Sequence, residues 1–117
     1  MRNIGFIALV SLFASCNDID FRVTNNTDTV IDSVILSNGF DEAAVYGIRP
    51  NKSTEGHLNF SGAVTTDGNY RVKVYTLDSL RKYSYGYYTN GSPTTSSAEI
   101  IVHPDTIKVR EEGNGFY

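Results

Sequence analysis

The sequence predicts an all-β protein, an antiparallel β-sandwich of about eight short strands in one domain. Three observations predict it. Tyr, Val, Ile, Thr and Phe, the residues that suit a pleated and half-buried surface, recur through residues 20–110. Several stretches alternate apolar and polar residues, the period of a strand with one face buried and one wet. Gly, Asn, Asp and Pro interrupt the chain about every eight to twelve residues, the rhythm of turns between short strands.

The elements follow in order. Phe21 and Val23 alternate with Arg22 and Thr24 in a first strand closed by Asn25-Asn26. Val30 to Leu36 comes next and stops at Asn38-Gly39, a pair that tolerates positive φ. Val30, Ile31, Val34 and Ile35 would also line one face of a helix. The β-branched content and the short length favour a strand. Val45 to Ile48 is a short strand stopped at Arg49-Pro50-Asn51, and Leu58 and Phe60 alternate with His57 and Asn59. The clearest strand, Tyr70 to Thr76, follows the turn signal Asp67-Gly68-Asn69. Tyr70, Val72, Val74 and Thr76 take one face; Arg71, Lys73 and Tyr75 take the wet one. Arg81 to Tyr88 ends at Thr89-Asn90-Gly91-Ser92-Pro93. Ala98 to Val102 and Thr106 to Val109 are separated by His103-Pro104-Asp105. Residues 111–117 read as a tail, or as an added edge strand if Phe116 and Tyr117 dock. The strand count suits an immunoglobulin-like or a transthyretin-like sandwich, without the Cys–Trp–Cys set that marks true immunoglobulin domains.

Residues 1–15 have a different character. Arg2 is followed by an apolar run from Ile4 to Phe13, then by the small residues Ala14-Ser15 and by Cys16, the chain's one cysteine. That is the layout of a secretory signal, and the run is shorter than the ~20 apolar residues a bilayer span needs. A buried core helix is the alternative; the terminal position and the abrupt change of polarity at Asn17 count against it. Phe13-Ala14-Ser15-Cys16 resembles the lipobox of bacterial lipoproteins, with Phe13 where Leu is usual. The resemblance implies cleavage before Cys16, a diacylglycerol thioether on its sulfur and acylation of the new N-terminus. Several acyl chains at ~0.8 kcal/mol per buried methylene make such an anchor effectively permanent. A plain signal peptide would instead leave a lone reactive thiol on a secreted chain. Residues 1–15 are then the signal peptide, 16–19 a lipidated tether, 20–110 the sandwich and 111–117 the tail. Asn17 rather than Asp beside Cys16 resembles the pattern of outer-membrane rather than inner-membrane lipoproteins. Asp18 and Asp20 resemble the early acidic residues of surface-exported lipoproteins in Gram-negative gut commensals.

The whole chain holds 10 basic and 13 acidic residues. Losing Arg2 with the signal takes the mature charge to about −4, which speaks against a nucleic-acid partner, since phosphate binding needs a basic stripe. One cysteine excludes a disulfide framework, an iron–sulfur cluster and a cysteine-based zinc site. Two histidines, His57 and His103, lack metal-ligand spacing, and no nucleophile elbow, phosphate loop, zincin or calcium-loop motif occurs. The expectation is therefore a protein without cofactor or metal, and not an enzyme.

Two patterns remain as candidate sites. Arg81, Tyr83, Tyr85 and Tyr87 would project from one face of one strand, with Tyr88 opposite. Exposed, that row could stack sugars or anchor a protein; buried, it is a core face or a set of cross-strand pairs. Gly86 within it marks a bulge or a close approach of another group. The second pattern, Asp-Ser/Thr-apolar, occurs at Asp28-Thr29-Val30, Asp32-Ser33-Val34, Asp78-Ser79-Leu80 and Asp105-Thr106-Ile107, where composition would give roughly one by chance. It resembles the O-glycosylation site of envelope proteins in Gram-negative gut commensals, with Thr29, Ser33, Ser79 and Thr106 as acceptors. It is equally the chemistry of strand entry, an Asp capping a turn before a strand begins. The expected role is a membrane-anchored envelope lipoprotein, a binding module for a protein or glycan. A periplasmic inhibitor or immunity-type protein is the alternative, and a small hydrolase comes after it.

Overall fold

The structure, a computed structural model, describes residues 18–60, 67–89, 92–93, 97–111 and 115–116. The lipobox and Cys16 lie outside the described residues. Eight strands of five or more residues are present: β1 (Asp18–Asn25), β2 (Ile31–Ser37), β3 (Glu42–Ile48), β4 (Ser53–Asn59), β5 (Gly68–Tyr75), β6 (Leu80–Thr89), β8 (Ser97–Val102) and β9 (Ile107–Glu111). Two-residue strands β7 (Ser92–Pro93) and β10 (Gly115–Phe116) add short edges. Val30–Leu36 is thus a strand and not a helix. Asp18, the first described residue, is already paired with Asn59 of β4. The predicted tail 111–117 opens on a strand residue, Glu111, and its backbone returns at β10 as the added edge.

The strands form two sheets, β10-β9-β8-β1-β4 and β3-β2-β5-β6-β7, called the first and second sheet below. Because β1 and β2 lie in different sheets, the immunoglobulin order, which keeps the first two strands together, is excluded; the transthyretin-like alternative stands. The expected antiparallel sandwich is present, with one parallel ladder among its antiparallel ones. β1 runs parallel to β8, in register from Asp20↔Ser97 to Asn25↔Val102. Strand direction alternates from β1 to β6, so β8, entered after the descending β6, rises beside β1.

Alternation fills the interior as the sequence predicts. Ile19, Phe21 and Val23 of β1, Tyr70, Val72 and Val74 of β5, and Ala98, Ile100 and Val102 of β8 are all buried. At the end where β1 begins, Phe60, Tyr70, Tyr85 and Tyr88 close the core. Phe60 meets Tyr88 edge-on at 5.1 Å and Tyr70 stacks on Tyr85 at 5.0 Å. The Tyr88 hydroxyl donates to the Asn38 carbonyl oxygen at 2.7 Å, so a large ring is buried with its polar tip satisfied. Gly47, at φ 63 in β3, faces Asp32 in the register, and inward-facing residues there are spaced by three rather than two (Val34 and Ile31, Val45 and Ile48). The kink turns Ile31 and Ile48 in to seal the opposite end.

At that opposite end four short connections gather, at residues 26–30, 49–52, 76–79 and 103–106. Buried Asn25 ties two of them. Its Nδ2 donates to the carbonyls of Thr29 and Ile48, both at 2.9 Å, and its Oδ1 accepts from the N–H and hydroxyl of Thr27. Asn51 adopts φ 63 after Pro50, the arrangement of a type II turn in which Asn replaces the usual glycine. Its N–H donates to the Asn25 carbonyl at 2.8 Å.

Candidate functional site

The predicted tyrosine row does not form a surface, and the reason is local. Tyr70 pairs with Tyr85 but Gly68 pairs with Tyr88, so β6 carries one extra residue, with Gly86 at φ 56. This bulge rotates the strand, and a slip of one residue exchanges the two faces. Tyr85 is 4 % exposed and Tyr88 1 %, both in the core, while Tyr87 is turned out at 61 %. Tyr83 is half-buried against the core and Arg81 is half-buried near the far end of the strand. The face predicted as Arg81, Tyr83, Tyr85 and Tyr87 is therefore corrected: three of the four face inward and the fourth faces out.

The Asp-Ser/Thr-apolar patterns behave differently from one another. Thr29, Ser79 and Thr106 are exposed in three of the four gathered connections. Asp28, Thr29, Asp78, Ser79 and Pro104 line one depression there of about 210 Å³. The Ser79 hydroxyl lies 2.6 Å from that of Thr76. Ser33 instead sits inside β2, half-buried between Tyr46 of β3 and Tyr75 of β5.

The register of the second sheet assembles a surface that no single stretch of sequence contains. Its outer face reads in rows across β3, β2, β5 and β6. The first row is Tyr46–Ser33–Tyr75–Leu80, the second Ala44–Ile35–Lys73–Lys82 and the third Glu42–Ser37–Arg71–Ser84. Tyr46 is 73 % exposed and Leu80 45 %, Tyr75 is half-buried, and Arg71 and Lys82 are exposed. Lys73 lies directly opposite Lys82, a cross-strand pairing of like charges that opposes sheet formation. Among the described residues no carboxylate lies within ion-pair distance of Arg71, Lys73 or Lys82. A depression of about 170 Å³ opens between them, lined by Ile35, Ser37, Gly39, Glu42, Arg71 and Lys73. On a chain of net charge −3 the middle of this face is cationic and carries aromatic rings. Part of it was visible earlier, because alternation put Arg71, Lys73 and Tyr75 on the wet face of one strand. Tyr46 and Lys82 join them only through pairings across sequence.

On the outer face of the first sheet most charged side chains are paired among the described residues, although exposed Lys108 of β9 is not, and a depression of about 330 Å³ opens there beside Asp20, Arg22, Glu55 and Ser97. Along β1 and β4, Asn59 donates to Asp18 at 2.8 Å, Arg22 meets Glu55 at 3.4 Å, and the Thr24 and Ser53 hydroxyls lie 2.9 Å apart. On β8 and β9, Glu99 accepts from Arg110 at 3.4 Å. His57 sits between two carboxylates, its Nδ1 2.6 Å from Asp20 and its Nε2 3.0 Å from Asp18. The hydrogen bond to Asp20 is the largest of the influences that hold the imidazole pKa above its ordinary 6.5. With a carboxylate on each nitrogen the ring bridges the two acids when it is protonated; among the described residues its side-chain partners are these acids. His103 lies in the β8–β9 turn, where its N–H donates to the Thr106 carbonyl at 2.8 Å.

No family model matches the chain, and no curated protein is significantly similar to it in sequence.

Proposed function

We propose that this protein is a lipid-anchored lipoprotein of the outer membrane and a non-catalytic binding module, with residues 1–15 removed and Cys16 acylated. One observation carries the reading: Asp18 is already in register with Asn59, at the start of a strand flanked on both sides by β4 and β8. A single residue, Asn17, then separates the acylated cysteine from the middle of a sheet. An anchor placed there supports a domain held close against the bilayer by the end where β1 begins. The four gathered connections would lie at the other end of β1, about 25 Å away at ~3.3 Å per residue. Both outer faces of the sandwich would stand beside the membrane, accessible to partners.

The test is intact mass spectrometry of the membrane fraction, the unaltered protein against Cys16→Ala. The expected mass is that of residues 16–117 plus acyl groups, with the variant losing both the acyl mass and its place in the membrane. A full-length, unmodified or freely soluble product would overturn the anchor.

The same spectrum reads the Asp-Ser/Thr patterns. Taken as glycan acceptors, the exposed Thr29 and Thr106 should be occupied first, Ser79, hydrogen-bonded to Thr76, less, and Ser33, inside a central strand, least. Hexose-scale increments lost from Thr29→Val and Thr106→Val support that order. Their absence from the native protein leaves strand entry as the reason for the pattern.

A further inference from the structure

We infer that the outer face of the second sheet binds an acidic polysaccharide, with Tyr46 and Tyr75 seating sugar rings and Arg71, Lys73 and Lys82 meeting the anionic substituents. The inference deepens the binding-module reading and does not depend on the anchor.

The charge argument comes first. Lys73 and Lys82 face each other across a ladder in which like charges oppose pairing, and no carboxylate of the described residues neutralises them. The first sheet of the same molecule solves the same problem with Arg22–Glu55 and Arg110–Glu99. An anionic partner supplies to the second sheet what Glu55 and Glu99 supply to the first. Arg71 and Lys73 are two residues apart on β5, so their side chains leave the same face about 6.6 Å apart at ~3.3 Å per residue. Together they flank one side of a depression of about 170 Å³, small beside the 300 Å³ or more of drug-sized ligand pockets; Glu42 also lines it, so an anionic substituent is held there by two cations against one carboxylate.

Shape decides the class of partner. Tyr46 and Tyr75 lie on either side of Ser33 in one row, two strand spacings or about 10 Å apart. Between them, among the described residues, the face is Ser33 of a sheet surface rather than the apolar groove that a docked helix requires. An added peptide strand would pair with the backbone along an edge, such as β6 before Tyr88, where β7 does not reach; Lys73 and Lys82 instead lie side by side across two strands, on the face of the sheet. Two tyrosines in one row with cations in the rows beside them fit a chain whose units are themselves rings bearing carboxylate or sulfate groups.

The experiment measures binding by the full gene product as the cell matures it, from whichever fraction holds it. The probes are two matched pairs: polygalacturonate against its methyl ester, and dextran sulfate against dextran. Phosphatidylglycerol vesicles and polyglutamate serve as anionic probes of other classes. The expected result is binding of at least one charged polysaccharide about tenfold or more tighter than its neutral partner, weakening as ionic strength rises. Lys73→Ala and Lys82→Ala should each weaken it about tenfold, the scale of one hydrogen bond to a charged group, and Tyr46→Ala about threefold to tenfold. Arg22→Ala, on the other sheet, should leave it unchanged. Thermal unfolding confirms that each variant is folded, and the salt dependence needs no variant. Equal affinity for charged and neutral chains, or no binding to either charged chain, overturns the proposal. So does indifference to the lysines, or equal or tighter binding of the vesicles or polyglutamate. None of those failures bears on Cys16.

Discussion

The two outer faces of the sandwich are built from the same kind of strand and treat charge in opposite ways. On the first sheet each charged side chain of β1 and β4 has a cross-strand partner: Asp18 with Asn59 and His57, Asp20 with His57, Arg22 with Glu55. On the second sheet two lysines are set against each other and an arginine stands beside them with no acid in reach among the described residues. Exposed ion pairs contribute only about 0–1 kcal/mol each, so neither arrangement decides whether the protein folds. What differs is what the surface offers. The first sheet has the larger depression, about 330 Å³, but the charges lining it already have partners, whereas the second leaves cations and Tyr46 uncovered.

The comparison can be broken at the backbone. Gly86→Val puts a β-branched residue at φ 56 in the bulge, where a Cβ would come within 3.4 Å of both Tyr70 and Glu111. We expect a loss of about 2–3 kcal/mol, read as a lowered denaturant midpoint, since the bulge is what sends Tyr85 and Tyr88 inward together. Next in size is Asp18→Ala. It removes a carboxylate that accepts from Asn59 and bridges to His57, and should cost about 1–2 kcal/mol in the same assay.

The paired face should also respond to pH. The His57 pKa is raised in the fold, so the bridge stabilises fully below the unfolded value of 6.5 and is lost as pH rises through the higher folded value. Asp18 and Asp20 are the acids against it, with Asn59 and Glu55 its neighbours of like orientation on β4; β4 is the sheet edge, so no further strand faces it. Because the ring is half exposed, the effect should be under about 1 kcal/mol. Thermal midpoints at pH 5.5 and 8.5 should differ in the native protein, with the higher midpoint at pH 5.5, and the difference should shrink in His57→Gln. The smallest effect sharpens the contrast most. Lys82→Glu makes the second sheet resemble the first, placing opposite charges across the ladder. It should raise stability by about 0.5 kcal/mol while abolishing the preference for charged polysaccharide. A variant that gains stability and keeps its binding would separate the two properties argued here to be one.

Local chemistry made most of the fold legible. Asn38-Gly39, Pro50-Asn51 and His103-Pro104-Asp105 are turns because of the conformations those residues accept, and alternation assigned the inward residues of β1, β5 and β8. The face of β6 was not legible, although Gly86 was a visible warning. An inserted residue does not alter composition, but it reverses every side chain beyond it, so Tyr87 and Tyr88 exchanged places. The cationic face was half legible. Arg71, Lys73 and Tyr75 share a strand, whereas Tyr46 and Lys82 are recruited by register, which depends on pairings no single stretch of sequence contains.

The parallel ladder between β1 and β8 has a consequence in time. The first strand cannot gain its second neighbour until a segment some eighty residues later, beginning at Ser97, exists and has found it. Closing so long a loop is entropically unfavourable and slow, and it makes the central ladder of the first sheet a late event. If the chain is exported as proposed, the part still being threaded holds β1 without β8, and the first sheet can lock only when nearly all of the chain has arrived on the far side.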